Sequence, residues 1–320
     1  MSKLINELHT PVALDYAINL LGDALVGPSS VLVDCTLGLG GHTEAFLEKF
    51  PKLTVVGIDR DEKALRLAEE RLARFGDRVH FVHAIYSEIG EVLADLKIEK
   101  VEAVLLDLGV SSMQLDETDR GFAYSFNAPL DMRMNQGEGQ TAAEVLNHYT
   151  ETELARIFKE YGEERYAKPI AKAVVAKRKS SQFENSAELA ELISKIVPYI
   201  PGKTSGHPAK RVFQALRIEV NGELEILTET IPAAIACLRV GGRILVMSYH
   251  SLEDTIVKKS LVRLATSSAP LDMPVELPEH APVIRMLTRG TEVATETEKL
   301  SNPRAASVRM RAAEKIREAA

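Results

Sequence analysis

The chain has 320 residues, 45% of them apolar and 27% charged, a balance ordinary for a globular protein and a length beyond what one core usually fills. No run approaches the roughly 20 apolar residues that a bilayer demands, and residues 1–22 lack the unbroken apolar stretch of a signal peptide, which predicts a cytoplasmic chain with no membrane span. The net charge of −7 excludes a uniformly basic nucleic-acid binder, and the two distant cysteines, Cys35 and Cys237, exclude a disulfide scaffold; both thiols are expected in cores.

In chain order, Thr10-Pro11 reads as the cap and first turn of a leading helix. Short β-branched or apolar runs follow at 31–37, 54–59, 79–84 and 101–109, suited to parallel strands buried on both faces. Helical patterns separate them. Asp61 is placed to cap one helix, with Leu65, Ala68 and Leu72 on a shared face, and Ser87 to cap another, with Ile89, Val92, Leu93 and Leu96 at helical spacing. This alternation predicts a doubly wound α/β half.

After about residue 137 the rhythm turns wholly helical. Thr141 to Glu144 and Thr150 to Glu153 have capping-box spacing, and Leu154, Ile157, Phe158 and Tyr161 form one apolar stripe, Leu189, Leu192, Ile193 and Ile196 another. Pro169 falls inside the helical stretch 162–178 and is expected to kink it. Pro198, Pro201, Gly202, Gly206 and Pro208 predict a hinge or binding loop. The spacing of Phe213, Leu216, Val220, Leu224 and Leu227 predicts a long helix returning to the sheet. A strand at 243–250 and two candidate strands of a closing hairpin, 284–290 and 307–314, complete the chain. The expected division is 1–115 with 217–320 as the α/β domain and 116–216 as a helical insertion. Between Arg165 and Arg217 eleven Lys or Arg face three Glu, so a basic segment sits inside an acidic protein, a pattern that suits either a polyanion site or a solvated helical face.

Chemistry concentrates where the first strand should end, in the segment 34–43, DCTLGLGGHT. Gly38, Gly40 and Gly41 allow positive φ and a close main-chain approach to a ligand. Asp59 ends the second strand nineteen residues after Gly40, the place of an acid that takes the two ribose hydroxyls of an adenosine. NAD and S-adenosylmethionine both satisfy this much. Thr43 stands where a dinucleotide fingerprint needs glycine or alanine, and Asp34 and Asp107, acids at two strand ends, repel a pyrophosphate and suit a sulfonium cation. Asp107, Ser111, Ser112 and Gln114 follow one another at the exit of the fourth strand, where open α/β sheets bind ligands. Tyr86 is either an adenine stacker or an ordinary half-buried tyrosine; His42 either donates to the cofactor's carboxylate or caps the turn.

Longer motifs are more specific: HTPV (9–12), DCTLGLGGHT, GIDRD (57–61), LLDLGVSSMQLD (105–116), RGF (120–122), PLDMRM (129–134), GEER (162–165), HPAKRVFQALRIEVNGEL (207–224), SYHSLED (248–254) and NPRAASVRMRAAEK (302–315). In this order, over nearly the whole chain, the sequence resembles the bacterial S-adenosylmethionine-dependent methyltransferases of the cytosine N4 amine in small-subunit ribosomal RNA. The resemblance implies a Rossmann-like class I methyltransferase sheet with an inserted all-helical domain for RNA recognition. It also implies S-adenosylmethionine as donor and a cytidine near the ribosomal P site as acceptor. By motif match it assigns cofactor contacts to Gly40, Gly41, His42, Asp59, Tyr86, Asp107 and Gln114, and no metal. Three positions depart from the family pattern: Thr43 where serine is usual, Tyr86 where phenylalanine is common, and Pro169 where a basic residue is usual.

The acid-Pro-Pro-aromatic motif of many amino methyltransferases is absent, since Leu108-Gly109 follow Asp107. Ser111, Ser112 and the Tyr249-His250-Ser251 turn are therefore the candidate groups for holding cytosine, with Ser111, Ser112 and His250 the catalytic candidates; for His250 the structural reading, as a residue of a strand-end turn, outweighs the catalytic one. RNA contacts are expected from Arg165, Lys172, Lys177, Arg178, Lys179, Lys203, Lys210 and Arg211, with free ribosomal RNA and the assembled small subunit both open as substrate. A NAD-dependent oxidoreductase, a DNA amino methyltransferase and a non-catalytic ribosome assembly factor with a methyltransferase fold are the competing readings. Monomer and homodimer are both open.

Overall fold

The computed structural model of the protein describes residues 11–111, 113–114, 117–124, 127–198, 207–270 and 277–319. The chain forms two compact units, Met1–Gly109 with Leu224–Ala320, and Val110–Glu223. Both seams lie beside positive-φ glycines, Gly109 (φ 97°) and Gly222 (φ 61°), and not at the expected 115/116 and 216/217.

The first unit alternates helix and strand: α1 (Leu14–Gly22), β1 (Val31–Asp34), α2 (Gly41–Lys49), β2 (Thr54–Asp59), α3 (Glu62–Leu72), β3 (Val79–His83), α4 (Ile89–Asp95) and β4 (Val101–Asp107). Its strands join a seven-stranded sheet of order β3-β2-β1-β4-β5-β7-β6, in which β5 (Leu238–Ser248) continues the parallel set. Antiparallel to β5 runs β7 (Arg309–Lys315), which also pairs with β6 (Ile284–Met286). This is the Rossmann-like class I methyltransferase type of sheet. The strands are apolar throughout because both faces are covered, and alternate residues serve opposite sides. Leu32, Val55, Leu105 and Leu245 pack with Phe46 and Leu47 of α2 and Leu65 and Leu72 of α3. Val33, Val56, Leu106 and Val246 pack with Ile89 and Leu93 of α4 on the other face.

The second unit is helical: α5 (Ala142–His148), α6 (Glu151–Glu160), α7 (Ala167–Arg178), α8 (Ser186–Ile196) and α9 (Lys210–Asn221). Leu154, Ile157, Phe158, Ile170, Val174, Leu189, Ile193, Phe213 and Leu216 are buried in its separate core. Thr141 and Thr150 close capping boxes with Glu144 and Glu153, as their spacing predicts. After α9, α10 (Glu223–Cys237), α11 (Ser251–Ala265) and α12 (Glu296–Ser301) return to the first unit.

Several local expectations are corrected. The long returning helix is two helices, because Gly222 adopts the left-handed conformation that ends α9; Phe213 and Leu216 belong to the helical core and Leu227 to the sheet. Pro169 is the third residue of α7, where its missing N–H is one of the four that a helix leaves unbonded, so it introduces no kink of the interior kind. Ser87 lies inside a short 3-10 turn and caps nothing; Glu88 precedes α4. The leading helix starts at Leu14, behind left-handed Ala13, later than the Pro11 start expected; Thr10 is outside the described residues. Cys35 is buried, whereas Cys237 is only half-buried. Pro201, Gly202 and Gly206 of the expected hinge lie outside the described residues, as does Lys203.

Candidate active site

Strand β1 pairs with β2 on one side and β4 on the other, so connections leaving β1 and β4 turn opposite ways and leave a crevice at their carboxyl ends. Three aspartates end those strands. Asp34 ends β1, fully buried, its oxygens accepting from the Thr43 hydroxyl (2.8 Å) and the Thr36 N–H (3.3 Å). Burial raises its pKa, against the opposing pull of His42 and these bonds. Because the Thr43 hydroxyl alone makes the contact, serine and threonine are equivalent there, which accounts for the first departure from the family pattern.

Asp107 ends β4. Its N–H donates to the Thr36 hydroxyl (2.7 Å), its Oδ1 accepts from the Tyr249 hydroxyl (2.5 Å), and its Oδ2 lies 3.9 Å from His42 Nδ1. Burial raises its pKa, His42 and Tyr249 oppose, and Asp34 and Glu253 add repulsion. His42 Nε2 lies 2.9 Å from the Val12 carbonyl oxygen, which can only accept, so Nε2 carries the proton and Nδ1 is left toward Asp107. His42 thus ties the entry of α2 to the segment before α1 and faces the Asp107 carboxylate. Burial and the neighbouring Asp107 push the Tyr249 phenol far above its usual range, so it remains a donor.

Asp59 ends β2. Its oxygens accept one backbone N–H each, from Gly38 and from Asp61, both at 2.8 Å, and burial pushes its pKa up to about 6. Each oxygen keeps a further acceptor position for a hydroxyl donor. The glycines divide by role. A Cβ on Gly38 (φ 52°) meets nothing nearer than 3.9 Å, so the main chain is open there to a ligand. Cβ atoms on Gly40 and Gly41 would stand 2.8 Å from Leu72 and 2.7 Å from Pro11, so these two are glycine for helix packing. Tyr86 is half-buried just past β3, packed against the core beneath the sheet.

The first unit therefore brings Gly40, Gly41, His42, Asp59, Tyr86 and Asp107 to one sheet edge. Gln114 and Ser111 belong to the second unit, where they bond each other: Gln114 Oε1 accepts from Ser111 N–H (3.0 Å) and Gln114 N–H donates to Ser111 Oγ (3.3 Å). Ser112 lies outside the described residues. His250 is the N-cap of α11, its side chain accepting from the Glu253 N–H, while Glu253 returns to the N–H groups of Tyr249 and His250. His250 Nε2 lies 3.2 Å from Glu253 Oε1 without hydrogen-bond alignment. Of SYHSLED, then, His250, Glu253 and Asp254 build the turn, Asp254 taking both arms of Arg311 from β7 (2.7 and 3.1 Å), and Tyr249 bonds the strand-end acid Asp107. Thr36 escaped the sequence reading, because its hydroxyl serves a backbone group 71 positions away.

The donor set fits S-adenosylmethionine. Asp59 offers two acceptors to a ribose diol, and the carboxyls of Asp34 and Asp107, held above their ordinary pKa by desolvation against the pull of His42, suit a sulfonium and oppose a pyrophosphate. Sheet and edge together define a class I methyltransferase. The chain matches the family model of the MraW methylase family over residues 6–316, and it belongs to that family. It is 58% identical to the Ribosomal RNA small subunit methyltransferase H of Saccharopolyspora erythraea over 313 residues, covering 98% of this chain and 95% of the relative. The proteins of that name from Pseudarthrobacter chlorophenolicus and Nocardia farcinica are each 56% identical, covering 98% and 96% of this chain and 97% and 96% of the relatives.

Proposed function

We propose that the protein transfers a methyl group from S-adenosylmethionine to the exocyclic N4 amine of a cytidine in small-subunit ribosomal RNA. The observation that carries the reading is the edge of three strand-end aspartates, Asp34, Asp59 and Asp107, in a chain more than half identical to named small-subunit RNA methyltransferases. The donor supplies an already activated methyl. Asp59 holds its ribose, and Asp34 and Asp107 favour its positive charge. Tyr249, Thr36 and Thr43 fix those carboxylates, which matters because alignment of reacting atoms can supply about 7–11 kcal/mol of a barrier. The cytosine amine is a poor nucleophile, and acceptors on its N–H groups localise the lone pair and stabilise charge building on nitrogen. Ser111 and Ser112 remain candidates for that task, and the target base must leave its stack to be reached. His250, engaged as a helix cap, drops to a positioning role. The dehydrogenase reading loses its ground with the family.

The helical unit is the proposed RNA-binding part. Among the expected contacts, Lys177 pairs with Glu188 (2.8 Å), Arg178 donates to the Leu146 carbonyl (2.7 Å) and Arg211 to the Glu163 carbonyl (3.2 Å). The side chains of Arg165, Lys172, Lys179 and Lys210 are exposed and make no hydrogen bond or ion pair among the described residues. The last four are the stronger phosphate contacts. The protein acts in the cytoplasm; among the described residues no helix is long and apolar enough to cross a membrane. The test is transfer of labelled methyl to small subunits from cells lacking the protein, followed by nucleoside mass mapping. N4-methylcytidine formed by the parent and lost in Asp59→Ala is expected, and unlabelled subunits would refute the reading.

A further inference from the structure

Three of the motifs, RGF, GEER and HPAKR, lie outside the sheet-bearing unit. In the second unit they adjoin. GEER meets the start of α9, where a Cβ on Gly162 would stand 2.5 Å from the Arg211 carbonyl oxygen and where Arg211 donates to the Glu163 carbonyl (3.2 Å). Two residues past RGF, the Tyr124 ring stacks on His207 of HPAKR, with centroids 4.8 Å apart and planes at 14°. Tyr124 is in turn seated edge-on against Phe213 of α9, at 5.9 Å and 83°.

His207 is nevertheless exposed. With one ring face on Tyr124, the other face makes no ring contact among the described residues. The ring is also held from turning, because Nδ1 accepts the Ala209 N–H at 3.1 Å, which leaves the proton of a neutral ring on Nε2 as an outward donor. An exposed histidine ordinarily needs no such fixing; here a stack, an edge contact behind it and a hydrogen bond immobilise one flat face. Exposed Arg165, Lys210 and Arg211 come from the two motifs that meet beside it. A fixed aromatic face flanked by cations is the arrangement with which proteins hold single-stranded nucleic acid, the ring taking a base and the cations its phosphates.

We propose that the His207 ring, backed by Tyr124, is a stacking platform for one unpaired base of the RNA substrate, with Arg165, Lys210 and Arg211 on the adjoining phosphates. The inference rests on the RNA-methylation reading above and adds to it a site in the helical unit. The rival role for His207 is purely structural, as the acceptor that caps the turn into α9. Two substitutions separate the roles: His207→Phe keeps a flat face and loses the acceptor, whereas His207→Asn keeps an acceptor and loses the face.

The experiment measures KM for unmethylated small subunits, the cofactor Kd and thermal midpoints in full-length parent, His207→Phe, His207→Asn and His207→Ala. A stacking platform raises KM about 5- to 150-fold in the Asn and Ala variants, restores it to within about threefold in the Phe variant, and leaves the cofactor Kd unchanged. Salt dependence gives a second arm: Lys210→Ala lowers the slope of log affinity against log salt by about 1, and His207→Asn leaves it unaltered. A Phe variant as impaired as Ala beside an intact Asn variant overturns the platform, as does parental KM in all three. Should the parent itself fail to methylate subunits, the RNA-methylation reading falls; parental activity with indifferent variants sinks the platform alone.

Discussion

Asp59 shows how a single side chain ties fold to chemistry. Its oxygens are oriented by two backbone N–H groups, and burial pushes its pKa up to about 6. Without ligand, that raised value favours the fold most below about pH 4, where the group is neutral in both states, and the contribution is lost as pH climbs through about 6. Ligand binding has the opposite sign, because a ribose diol needs the carboxylate. Cofactor affinity is therefore expected to fall by about tenfold from about pH 7 to pH 5. Isothermal titration across that range checks this, and Asp59→Asn should bind weakly with most of the slope removed. Burial also raises the carboxyls of Asp34 and Asp107 at this edge, and a slope unaltered in the Asn variant would assign it to them. Gly40 makes a second residue-scale case. Alanine there must accept φ 75° and a Cβ 2.8 Å from Leu72, so Gly40→Ala should lose about 1–3 kcal/mol in denaturant unfolding.

Helix ends decide more than helix interiors in this chain. The boxes at Thr141 and Thr150 each bond a Glu three residues on and receive that Glu's carboxylate on their own N–H, at 2.8 and 2.7 Å. Replacing either threonine with alanine should cost about 1 kcal/mol in urea unfolding. Pro169→Ala in α7 should change stability by no more than about 1 kcal/mol, because proline's clash and missing donor matter only past the first turn. A cost near 3 kcal/mol would mean that the proline fixes more than its own turn. These ends were legible where the signal was local, as with Thr141, Thr150 and Asp61. They were misread at Ser87 and Gly222, where the choice between two adjacent caps, or between one helix and two, depends on which core each turn reaches.

Residues 110–223 are contiguous, carry their own buried core and contribute no strand to the seven-stranded sheet. Excised, this segment is expected to unfold cooperatively by circular dichroism and to ignore S-adenosylmethionine, while the full chain gains thermal stability with the logarithm of cofactor concentration. A segment without a cooperative transition would show that its core needs the rest of the chain. What the sequence determined by itself was the alternation of buried strands with helices, the switch to a helical block, and the strand-end positions of Asp34, Asp59 and Asp107. Each of these is written in periodicity or in spacing along one stretch of chain. Tertiary structure alone decided that Tyr249 bonds Asp107, that Thr36 secures the β4 exit, that Gly40 and Gly41 serve packing while Gly38 stays open, and that His207 lies on Tyr124. Those facts join residues up to 142 positions apart, and no local pattern encodes a contact that exists only once sheet order and helix packing have brought both partners together.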